Sequence, residues 1–150
     1  MKRFKFSLRA VAIVRGHREL KAQQALATAA AAMARAEAQL AAAQARTAEL
    51  ENMIAAGRAG PFRPDLQVSA LQAYARERTG VATAGKALDA ARVEVAKRRM
   101  VAIEAQRQVK VVAQLEGKAR ASHRAETARA EQSEIDERAA SAAFHRSPFP

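Results

Sequence analysis

One short run decides what this chain can fold into. Gly57-Arg58-Ala59-Gly60-Pro61-Phe62-Arg63-Pro64 carries two glycines and two prolines between long alanine-rich stretches that are otherwise uniformly suited to helix. Glycine takes the left-handed cap conformation without penalty, and proline disfavours helix in the residue before it, so the run is expected to stop one helix and start another. The chain therefore reads as all-α: a long antiparallel two-helix coiled-coil hairpin with an overhanging carboxy-terminal helix, forming a single coiled-coil domain over residues 1–150. The first helix is expected over about 7–56, stopping at Gly57, the turn over 57–65 and the second helix over about 66–145. Ser7 is placed to cap the first helix, with Phe6 and Val11 at hydrophobic-staple spacing, and Asp65 to cap the second before Pro148 and Pro150 end it.

The apolar residues repeat every seven. In the first helix Leu26, Met33, Leu40, Thr47 and Ile54 step by a heptad, with Ala22, Ala29, Ala36, Ala43 and Leu50 at the companion positions. In the second, Tyr74, Val81, Leu88, Val95, Ala102 and Val109 do the same beside Ala84, Ala91, Ala105 and Val112. Leu8, Val11, Ile13, Val14 and Leu20 fall out of that repeat, which predicts a discontinuity near Leu20 to Leu26. Folding at the break pairs residues whose numbers sum to about 123, setting Leu8 near Leu115, Leu20 near Ile103 and Leu40 near Ala84. Gly80 and Gly85 then face Ala43 and Ala38, where close backbone approach is expected. The second helix is the longer, and from about Gly117 onward it is expected to have no partner within the chain, exposing a thin stripe of Ile135, Ala139, Ala142 and Phe144.

This pattern leaves little room for catalysis. There is no Cys or Trp, which removes disulfides, thiolate metal sites and cysteine nucleophiles and suits a reducing compartment. His17, His123 and His145 are too scattered for a metal site and read as solvated, and no phosphate loop or nucleophile elbow occurs. The carboxylates Glu131, Glu134, Asp136 and Glu137 sit among arginines at intrahelical pairing distance. No cofactor and no enzymatic activity are expected. The apolar run Ala10 to Val14 is too short for a signal core or a membrane span, so a soluble cytoplasmic protein is expected.

The formal charge of +11 asks for an acidic partner. Lys2, Arg3, Lys5, Arg9, Arg15, Arg18 and Lys21 are offset only by Glu19, and the register brings Lys97, Arg98, Arg99, Arg107 and Lys110 alongside them. At the other end Phe62, Leu66, Val68, Leu71 and Tyr74 gather with Met53 and Ile54, either as packing of the turn or as a second docking site. A basic nucleic-acid-binding coiled coil is the competing reading. The interspersed acidic residues and the lack of an aromatic stacking platform count against it, and no specific nucleic acid is expected.

The termini resemble a known family. Phe4-x-Phe6-x-Leu8, then Val11, Val14-Arg15, Glu19 and Ala22-Gln23-Gln24-Ala25, is similar to the start of the flagellar export protein FliJ, and Glu131-Gln132-Ser133-Glu134-Ile135-Asp136-Glu137-Arg138 resembles its carboxy-terminal helix. The resemblance implies a non-catalytic stalk of the flagellar type III protein export apparatus, lying at the cytoplasmic face of the inner membrane at the flagellar base through protein contacts. Its implied partners are the export ATPase hexamer, the membrane export gate protein and the export chaperones it helps recycle. Carried onto this chain, ATPase-ring binding falls to Leu8, Val11, Val14, Arg15, Ile135 and Arg138, and export-gate binding to Leu71, Tyr74 and Val81. The stalk proteins of injectisomes share this architecture and are the alternative branch.

Overall fold

The computed structural model describes residues 3–61 and 63–146, the side chains of 144–146 excepted. Lys2, Phe62, Pro148 and Pro150 lie outside the described residues, as do the side chains of Phe144 and His145. The fold is an all-α hairpin of two long helices, α1 (Arg9–Ala59) and α2 (Pro64–Arg146), with no strand among the described residues. Contacts divide it into two compact units, one of residues 20–104 around the turn and one in which residues up to 19 pair with those from 105 onward.

The helix ends differ in detail from the sequence expectation. Leu8, not Ser7, supplies the carbonyl that accepts the first bond of α1, from the Ala12 amide at 2.9 Å, and the Arg9 amide donates to the Phe6 carbonyl at 3.3 Å. α1 then runs past Gly57 to Ala59, and no described residue has a positive φ, so neither glycine acts as a left-handed cap. Proline does the interrupting instead. Pro64 is the first residue of α2, where its missing N–H costs nothing, and the Arg63 carbonyl ahead of it accepts from Gln67 at 3.1 Å. Asp65 lies in the first turn, where its charge favours the helix dipole.

Burial follows the heptads closely. Ala22, Ala36, Ala43 and Ile54 of α1 and Leu88, Ala102 and Val112 of α2 form the core. Side-chain bonds give the register of each unit. Arg46 Nε donates to Glu77 Oε2 at 3.1 Å in the first, and Arg15 Nη1 donates to the Gln108 carbonyl at 3.2 Å in the second; each pair sums to 123. Thr47, a polar seam residue, returns its hydroxyl to the Ala43 carbonyl at 2.9 Å and so brings no unpaired donor into the interface.

The burial pattern of α1 keeps its step near Leu20, where a change of register was expected. Alternating steps of three and four carry the buried and half-buried positions without a break from Ile54 back through Ala22 to Glu19, Arg15 and Ala12. The repeat continues, but polar and small residues occupy it. A polar seam residue fixes register at some expense of stability, which suits Arg15 and Glu19 at the helix end. Gly80 and Gly85 do not mark close backbone approach either: a Cβ built on Gly85 meets nothing within 4 Å, and one on Gly80 only Glu77 Oε2 at 4.0 Å.

Candidate docking surfaces

Displacement of apolar residues from the seam creates the first surface. With Ala12, Arg15 and Glu19 holding the contact positions, Val11 and Val14 fall on one flank of α1, and Val111 and Leu115 fall on the matching flank of α2. Leu8 caps the same end. Their exposures run from 38% for Leu8 and Val11 to 50% for Val14, with Leu115 at 43% and Val111 at 45%, so all five are open to a partner. The sequence reading named the three α1 residues and did not name Val111 and Leu115. Those two lie beside seam residues Val109 and Val112 in an apolar run, and only the observed register separates inside from outside. Arg15 Nη1 donates to the Gln108 carbonyl, so this side chain braces the helix pair beneath the patch.

Ahead of α1 the chain is not helical, and this changes where α2 is left bare. A helical Phe4 would lie opposite residue 119. Non-helical backbone advances up to about 3.3 Å per residue against 1.5 Å in a helix, so Phe4 reaches further along α2. Its ring meets His123 edge-on, with centroids 5.5 Å apart and planes at 70°, and the Arg120 guanidinium lies 5.4 Å from its centroid. Arg120 is itself held by Glu116 at 2.6 Å. His123 is therefore a packing residue and not a solvated one, and α2 is covered well beyond Gly117, with Thr127 still half-buried. A cavity of about 690 Å³ opens under this strap between Phe4, Lys5, Phe6, Arg9, Ala12, Glu116 and Arg120. The first turn of α1, which carries Arg9, contains no acidic residue.

From residue 128 to 143 every position of α2 is exposed. This is the true overhang, and Ile135, 57% exposed, is its one large apolar side chain. Its charges pair along the helix, Arg138 with Glu134 at 3.7 Å, while Gln132 donates to Asp136 at 2.8 Å.

The second surface lies in the unit around the turn. Tyr74 donates its hydroxyl to Glu51 Oε1 at 2.8 Å. That bond to a carboxylate holds the phenol above its ordinary 10.0, helped by desolvation and the Glu51 charge and opposed by Arg78. Tyr74 and Val81 border a shallow groove of about 590 Å³ together with Gln44, Thr47, Ala48, Glu51, Arg78 and Ala82. Leu71 does not line it but stands open on α2 at 44% exposure. Packing of the turn consumes Ile54, whereas Met53, Leu66 and Val68 remain more than half exposed. The turn therefore leaves most of the apolar tip exposed.

Among the described residues no group of three or more His, Asp or Glu is placed to hold a metal ion, and no helix is long and apolar enough to cross a membrane. The chain is matched by the family model described as flagellar FliJ protein, over residues 4–148. No curated protein and no solved structure matches it.

Proposed function

Because the chain belongs to the FliJ family, a non-catalytic family of flagellar export proteins, we propose that it acts in the export apparatus as the coiled-coil stalk that seats in the export ATPase ring and links that ring to the membrane export gate. The observation that carries this reading is the open apolar flank of Leu8, Val11, Val14, Val111 and Leu115, with Arg18 and Lys118 one heptad from Val11 and Val111 on the same flank. A ring lumen lined with carboxylates would orient such an end electrostatically, while the five apolar side chains supply the grip. The bare overhang with Ile135 and Arg138 is the natural extension of that contact, since nothing else among the described residues covers it. Arg15 serves by fixing the register beneath the patch.

The gate contact belongs to the second surface, with Tyr74 and Val81 along the groove and Leu71 beside it. Escort of export chaperones fits the same role. Peripheral residence at the cytoplasmic face of the inner membrane then follows from protein contacts alone.

The test is ATPase stimulation in trans by the purified chain. Val11→Asp with Val14→Asp, and separately Val111→Asp with Leu115→Asp, place charge on side chains that the fold leaves exposed, so helicity should hold while stimulation falls at least tenfold. Undiminished stimulation by both variants would remove the proposed ring surface.

A further inference from the structure

A second apolar line runs along α2 outside the seam. Val93, Ala96, Met100 and Ile103 follow one another at steps of three, four and three, the spacing that packs helix against helix, yet none of them faces α1. Val93 is 55% exposed, Met100 69% and Ile103 52%, and Ala96 is exposed as well. Leu20 of α1, 51% exposed, lies on the flank that Ile103 occupies. Scattered exposed apolar side chains are ordinary, but four in helical register on one face, in the same compact unit as Leu20, form a ready-made ridge.

The charges beside the ridge have one sign in excess. Arg92 and Arg99 border one side and Lys97 the other, where Glu104 also lies, and Lys86 and Asp89 continue the line one heptad before Val93 and Ala96. Asp89 is already engaged by Arg92 at 3.5 Å, and Arg98, further round the helix, is engaged by Glu94 at 2.6 Å. No ion pair occupies Lys86, Lys97 or Arg99. We propose that this ridge is a docking site for an acidic amphipathic helix of another protein. The eleven residues from Val93 to Ile103 span about 15 Å, room for roughly three turns of such a helix. Its apolar stripe would lie along the ridge and its carboxylates would reach the flanking Lys and Arg. The site shares no residue with the ring-binding flank or the Tyr74 groove, so it stands or falls independently of both.

A photo-crosslinking p-benzoylphenylalanine at Met100, in the full-length chain expressed in its native host, reads the occupant directly. The expected result is a crosslinked peptide from a different protein, rich in Asp and Glu with apolar residues at heptad spacing. Its yield should fall at least tenfold when Lys97→Glu and Arg99→Glu are added, with circular dichroism unchanged. The same probe at Ala38, an exposed outer position of α1, sets the background. Yield no higher at Met100 than at Ala38, a crosslink to a second copy of this chain, to nucleic acid or to lipid, or a yield indifferent to charge reversal would each overturn the proposal.

Discussion

Replacing glycine by alanine at three positions should stabilise this protein. Gly16, Gly85 and Gly117 lie within α1 and α2, and a Cβ built on any of them meets nothing within 4 Å. None has a positive φ. Alanine therefore introduces no clash and no backbone strain, and only its helix propensity remains, worth about 1 kcal/mol per site. The three sites share no contact, so their effects should add to roughly 2–3 kcal/mol. For a chain of this size that corresponds to a rise in Tm of roughly 5–10 °C, read by circular dichroism at 222 nm with urea melts in parallel. Gly57 is the internal control. A Cβ there would sit 2.9 Å from Gln67 Oε1, the end of a flexible side chain that must move, so Gly57→Ala should gain less. If Gly85→Ala is neutral or destabilising, the space beside α2 is not open and the account of the seam given above is wrong.

Tyr74 is the only tyrosine of a chain without tryptophan, so its ionisation can be followed by ultraviolet absorbance without interference. The phenol should titrate above 10.0, and Glu51→Gln should bring it down. Because its folded pKa is raised, the stabilisation from this bond is complete below pH 10 and is lost as pH climbs through the folded value. Val112 is 3% exposed, and Val112→Ala should destabilise by about 2 kcal/mol in urea, whereas Val111→Ala beside it should stay within about 0.5 kcal/mol. Ala43, also 3% exposed, has no room to grow, and Ala43→Leu should cost about 1–3 kcal/mol by the same measurement. Ending the chain after Thr127 should leave the urea midpoint of the remainder unchanged. Ending it after Glu116 should lower that midpoint, because the second truncation removes the seat of Phe4.

The sequence displayed the fold wherever apolar side chains fill the heptad, from Ala22 and Leu26 to Ile54 and from Tyr74 to Val112. It hid the fold where they do not. Ala12, Arg15 and Glu19 continue the same repeat with residues that carry little hydropathy signal, so a periodicity read from apolar residues alone breaks at Leu20 while the spacing of covered positions does not. The resemblance at the amino terminus singles out Val11 and Val14, whereas Val111 and Leu115 escape notice because an apolar run cannot say which of its members face inward. Gly57 has the composition of a terminator, but a glycine ends a helix only where the backbone turns left-handed, and here the proline does the interrupting. The packing of Phe4 on His123 was invisible for another reason. It depends on the pitch of a non-helical segment, which no pattern of residue types encodes.

The unbroken alternation of three and four restricts how such a molecule can change length. Deleting one residue from either arm rotates everything beyond it by about 100° and carries alanines of the contact line out into water. Only whole heptads, added to both arms at matching distances from the turn, restore the pairing, and each such addition lengthens the arm by about 10.5 Å. Size in a protein built this way is quantised. If it gauges a gap between two larger assemblies, that gap can be altered only in steps of the same height.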